Sequence, residues 1–155
     1  MKHRHAKPRR DHHYTAPKEF LGIPVFVDES SHLMADSRGI WPFKKIVLGM
    51  SFFYLSAREK EAVLCHEAAH CLKFHLERRI AAIPLLFLRP AFATEIAMAH
   101  ELEADRFAAS RGYAVELLAV LRKLGGKEGR FYPTFDTRAR ALNKFIKQKL
   151  DNLNP

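Results

Sequence analysis

"AVLCHEAAHCL", residues 62–72, carries His66 and His70 four residues apart, with Glu67 beside the first. On a helix, residues four apart share a face. Both imidazoles can then reach one ion at about 2.0–2.1 Å. Glu67 stands about 100° further round, near enough to hold a water beside the ion without ligating it. Zinc lowers the pKa of a bound water towards about 7, and a carboxylate can then take its proton. That chemistry is the reason the pattern HExxH carries meaning. The same pattern also fits an ordinary packed helix with two histidines, so the rest of the chain has to decide.

The stretch "SARE", residues 56–59, reads as a capping box. The serine hydroxyl accepts from the third helical N–H and the glutamate reaches back. A helix is therefore expected from Ala57 to about Arg78, with Val63 and Phe74 making it partly buried.

A catalytic zinc needs a third protein ligand and an open position. A second helix, expected from Ala91 to Ser110 and ending at Gly112, contains "AMAHELEADRFAA". Glu101 and Asp105 share a face there, with Ala97, Ala104 and Ala108 close to it. Small residues let two helices approach, so Glu101 can bind zinc. Asp105, one turn on, can accept the free N–H of a ligand histidine. Glu103 points elsewhere and is expected to pair with Arg106 at the surface, a contact worth little. His100 competes with Glu101 as third ligand. His75 is the weaker candidate. A metzincin would need histidine at position 76 and glycine at position 73, where this chain has Leu76 and Lys73.

Around these helices the chain reads as α+β. "IPVFVDE", residues 23–29, and "KKIVLGMSFF", residues 44–53, are short, β-branched and aromatic, as strands are. "SSHLMADSRG", residues 30–39, reads as a turn or a short strand. "AVELLAVLRKL", residues 114–124, and "FDTRARALNKFIKQKL", residues 135–150, follow helical stripes.

With 155 residues the chain suits one compact domain. Residues 1–17 read as a flexible basic, histidine-rich tail and residues 18–155 as the domain. The tail holds Lys2, Arg4, Lys7, Arg9 and Arg10, and four histidines, His3, His5, His12 and His13, that could scavenge metal. The formal net charge of +9 favours acidic partners, nucleic acid or an anionic surface among them. Cys65 and Cys71 lie about 9 Å apart along a helix, too far for a disulfide, and read as packing residues. Two free thiols fit a reducing compartment, and no apolar leader follows the basic N-terminus. The most apolar run, "IAAIPLLFL", is bounded by Arg79 and Arg89 and cannot supply the roughly 20 apolar residues of a spanning helix. Residues 80–93 read as core, ahead of a lid or a membrane-touching lip. A soluble, cytoplasmic protein without a transmembrane segment is expected.

Taken together, these residues resemble the gluzincin metallopeptidases of the HtpX and CAAX prenyl protease family. The resemblance covers about Pro24 to Leu142. "KIVLGMSFFYLSAREKEAVLCHEAAH" is similar to that family's strand, capped helix and HExxH. "ELEADRFAA" is similar to its ExxxD segment, which implies Glu101 as third ligand and Asp105 as the aspartate behind a ligand histidine. "YPTFDTR", residues 132–138, is similar to its later HP-x4-R segment, with Tyr132 where the family usually has histidine. A tyrosine hydroxyl there could donate to a developing oxyanion. The family's membrane helices are missing.

The resemblance implies a zincin-like fold, a small β-sheet packed on an active-site helix and further helices, in minimal soluble form. It implies one Zn2+ per chain held by His66, His70 and Glu101, with Glu67 as general base of a peptide-hydrolysing endopeptidase. A protein or peptide substrate would lie extended beside an edge strand, for which "KKIVLGMSFF" or "HLMAD" is a candidate. Two rivals stay open. One is a nucleic-acid-associated zinc peptidase resembling the SprT-like proteins, with His100 as third ligand. The other is a non-enzymatic basic binding module with a structural zinc.

Overall fold

Six helices and a four-stranded mixed sheet give an α+β fold in the computed structural model, which describes residues 15–86, 89, 91–124 and 132–152. The strands are β1 (Glu19–Phe20), β2 (Ile23–Val27), β3 (Ala35–Arg38) and β4 (Lys45–Leu48), in the spatial order β1-β2-β4-β3. β1 runs antiparallel to β2, β2 parallel to β4, and β3 antiparallel to β4. β3 is therefore an outer strand. β4, from one of the two stretches that were candidates for the free edge, is an inner one, paired on both sides, while "HLMAD" runs into the outer β3.

β4 is also shorter than expected, because Gly49 ends it. A Cβ at that position would stand 2.0 Å from the Leu33 carbonyl oxygen and 3.0 Å from that of Ser31. The backbone leading into β3 lies directly over Gly49, whose N–H donates to Met34 O at 3.0 Å. Residues 50–54 then form a 3-10 turn with Phe52 fully buried.

The helix α1 (Ala57–Leu72) begins where its capping box predicts. The Ser56 hydroxyl accepts from Glu59 N–H, and the Glu59 carboxylate accepts from Ser56 N–H at 2.9 Å. Burying Glu59 works against its charge, but Lys123 and the Ser56 groups overcome this and hold its carboxyl below the usual range. α1 packs on both sides. One side meets the sheet through Val63, Leu64, Ala68 and Cys71 against Ile46, Leu48 and Phe52. The other contributes Ala62 and Cys65 to a second cluster with Ala108, Leu117, Leu118, Leu121 and Leu142. A helix buried on both sides loses the one-sided apolar stripe of a surface helix. Both cysteines are free and buried.

α1 does not continue to Arg78. Phe74 takes a left-handed conformation (φ 57°, ψ 38°) and a new helix, α2 (His75–Ala81), starts after it. α3 (Ile83–Leu86) follows. Ile80, Ile83 and Leu85 are each about half exposed (48%, 49% and 49%), so this stretch is surface rather than the expected core. Ala82 is its buried anchor.

α4 (Ala91–Ala108) closes on α1 through Ala97, Ala104 and Ala108, all buried. A wide π-turn (Ala109–Tyr113) carries the chain into α5 (Ala114–Lys123), with Gly112 at φ 92° supplying the left-handed residue. α6 (Phe135–Asp151) starts at Thr134, whose hydroxyl accepts from Thr137 N–H. Among the described residues no helix is long and apolar enough to cross a membrane. The expectations for His3, His5, His12 and His13 fall outside the described residues.

Candidate metal centre

α1 and α4 bring His66, His70 and Glu101 to one point. Nε2 of His66 lies 3.2 Å from Nε2 of His70. Glu101 places Oε2 at 3.4 Å from His66 Nε2 and Oε1 at 3.6 Å from His70 Nε2. Tetrahedral ligands at about 2.1 Å from one ion stand about 3.4 Å apart. The three edges therefore match the face that three ligands of one small cation would make. His100, the other candidate for third ligand, is not in this group. It is buried, stacked on His75, and its Nδ1 accepts from Arg79 Nε at 3.3 Å.

Behind His66 stands Asp105, with Oδ1 3.0 Å from His66 Nδ1, in contact but without the alignment of a hydrogen bond. Arg138 of α6 donates to both Asp105 oxygens, at 2.7 and 2.6 Å, and lies 3.6 Å from Glu101. Arg138 had no role assigned from sequence beyond its place in "YPTFDTR".

Three carboxylates, Glu67, Glu101 and Asp105, share the site with two guanidiniums, Arg138 and, at 3.9 Å from Glu101 Oε1, Arg79. Burial alone would push the His66 imidazole down, but Asp105 and Glu101 overcome it and raise it to about 10. His70 goes the other way, down to about 2, from burial first and then from the positive charge of His66. Burial also works against the Glu101 carboxylate, yet the two histidines and Arg138 hold it down at about 2. Burial pushes the Glu67 carboxyl up to about 7, with Glu101 and Asp36 adding to the effect and His66 opposing it.

His66, Glu67, His70, Glu101 and Arg138 line one cleft of about 350 Å³. Its floor is His66, Glu67, His70 and Glu101, and β3 residues Ala35, Asp36 and Ser37 form part of its wall. Leu117, Val120 and Leu121 make an apolar flank. Tyr132, half exposed, also lines the cleft, and burial raises its hydroxyl above the ordinary value.

Glu103 does not take the expected partner Arg106. It gathers Lys73 at 3.1 Å, His75 at 3.1 Å and Arg78 at 3.0 Å, because the break at Phe74 turns α2 back towards α4. His75, the weaker candidate for third ligand, is not in the metal group, and the same break turns its ring towards His70 and Glu103. No family model, curated protein or solved structure matches this chain.

Proposed function

We propose that this chain is a zinc-dependent endopeptidase, built on a zincin-like plan. The observation that carries the reading is the His66–His70–Glu101 triangle, with edges of 3.2, 3.4 and 3.6 Å, opening into a cleft that also holds Glu67. The donor set of two imidazoles and one carboxylate is that of catalytic zinc sites, which keep a position open. The resemblance to the HtpX and CAAX prenyl protease gluzincins agrees with that set, including Asp105 behind His66.

Zinc held by these three residues would supply a Lewis acid that polarises a scissile carbonyl and acidifies a water. The chain's own groups account for the rest. Glu67, lining the cleft beside the two histidines, can accept a proton from the attacking water and return it to the leaving amine. Asp105, gripped by Arg138, orients the His66 ring. Tyr132 can donate its hydroxyl proton towards the carbonyl oxygen as charge develops there. β3 offers an outer strand beside the cleft, so an extended peptide can pair with it main chain to main chain. The apolar flank at Leu117, Val120 and Leu121 suits an apolar substrate side chain.

The test is zinc content per chain after gel filtration, together with hydrolysis of an unfolded protein substrate. His66→Ala gives the zinc held by the histidines outside the site. Wild type should hold one zinc above that background, and Glu101→Ala should lose it along with activity. Full zinc retention by Glu101→Ala would overturn the reading.

A further inference from the structure

His70 has a second neighbour that the peptidase reading does not use. Its Nδ1 lies 2.9 Å from Nδ1 of His75, and the far nitrogen of His75, Nε2, lies 3.1 Å from Glu103 Oε2. We propose that His75 and Glu103 are positioning residues: they hold His70 in the tautomer that presents its Nε2 lone pair to the ion. This inference rests on the metal-site reading above.

The direction of the hydrogen bonds follows from the roles of the nitrogens. A histidine that ligates through Nε2 carries its proton on Nδ1. His70 Nδ1–H then donates, and His75 Nδ1 must accept. The His75 proton is thereby placed on Nε2, where it donates to the Glu103 carboxylate. Each contact fixes the next, and neither ring has a second arrangement that satisfies both partners.

The backbone is bent to make this relay. In an unbroken helix, a residue five positions on stands about 140° round the axis, and His75 could not face His70. Phe74 interrupts the helix with φ 57°, ψ 38°, a left-handed conformation uncommon for a bulky residue. Lys44 braces the break: its Nζ donates to Cys71 O at 2.5 Å and lies 3.4 Å over the Phe74 ring.

The surroundings leave His75 little freedom. It is 1% exposed and stacks on His100 with ring centres 4.1 Å apart and planes 2° from parallel. Glu103 is held by Lys73 and Arg78 on its outer side. The two ligand histidines thus have separate supports. His66 rests on Asp105 and Arg138, and His70 on His75 and Glu103.

The test compares zinc affinity in the full-length protein by competition with a chromophoric chelator at neutral pH, with His66→Ala as background. His75→Phe keeps an aromatic ring against His100 but cannot accept from His70. It should bind zinc about 10–100-fold more weakly, with helical content unchanged. His75→Asn, whose amide oxygen falls near the Nδ1 position, should recover most of the loss. In the zinc-loaded wild type, long-range 1H–15N correlation should show the proton on Nδ1 of His70 and on Nε2 of His75. Wild-type affinity in a folded His75→Phe, or the opposite tautomers, would overturn the relay while leaving the metal site standing. No zinc in wild type would overturn both. If His75→Phe does not fold, Glu103→Leu decides: it leaves His75 Nε2–H without its acceptor and should weaken zinc several-fold, and unchanged affinity would overturn the relay.

Discussion

Arg138 grips Asp105 with two nitrogens, at 2.7 and 2.6 Å, and Asp105 in turn touches His66 Nδ1 at 3.0 Å. The pair ties α6 to α4 and α4 to α1. The Asp105 side chain is 1% exposed and that of Arg138 12%, so neither charge can fall back on water.

Removing one partner of such a pair leaves the other buried and uncompensated. Arg138→Leu should therefore lower stability by about 3–5 kcal/mol, read from urea unfolding. Arg138→Lys should recover part of this, because an ammonium keeps the charge and loses the fork. A loss below about 1 kcal/mol for Arg138→Leu would contradict this account.

The same pair gives the fold an acid limit. The Asp105 carboxyl drops to about 2: burial would raise it, but His66 and Arg138 overcome burial. A depressed carboxylate adds stability above its unfolded value near 3.8 and loses it as pH falls through about 2. That difference is worth about 2 kcal/mol. Unfolding free energy should fall between pH 4 and pH 2, and the fall should be shallower in Asp105→Asn. Equal slopes in the two proteins would count against it.

Glu67→Gln separates the base from the ligands. Gln cannot take a proton, yet it leaves His66, His70 and Glu101 in place. Zinc content should match wild type while peptide hydrolysis drops at least about 100-fold. Retained hydrolysis would remove Glu67 from the mechanism.

Gly49 controls the outer strand of the cleft. A Cβ there meets the Leu33 carbonyl oxygen at 2.0 Å, a backbone atom that cannot swing aside. Gly49→Ala should displace the lead-in to β3, destabilise the fold by roughly 1–3 kcal/mol and raise KM more than it lowers kcat. An unchanged melting temperature and KM would show that this strand tolerates the shift.

How much of this was legible in the sequence depended on the range of the interaction. The start of α1 was readable because a capping box is local, complete within Ser56 to Glu59. The pairing of Glu101 and Asp105 with α1 was readable because a four-residue spacing and alanine neighbours survive any detail of packing. The break at Phe74 was not, since neither glycine nor proline marks it and its brace, Lys44, is far away in sequence. For that reason the contact between His75 and His70 went unseen and Glu103 was given the wrong partner. Of the two candidates for the edge, "HLMAD" runs into the outer β3 and "KKIVLGMSFF" gives the inner β4; the sequence left both open because strand order depends on pairing between segments, and a local pattern says nothing of neighbours. Residues 80–86 looked like core because apolar content alone does not tell which side of a short helix faces inward.

α1 is enclosed by the sheet on one side and by α4, α5 and α6 on the other. From Glu59 to Cys71 only Glu61 is exposed. A saturating mutational scan should find tolerance at Ala57, Arg58, Glu61 and Leu72, and almost nowhere else along the helix. Substitutions that retune the protein would then have to fall on the cleft wall at β3, whose side chains are only partly buried and can change without unseating the helix that carries both histidines.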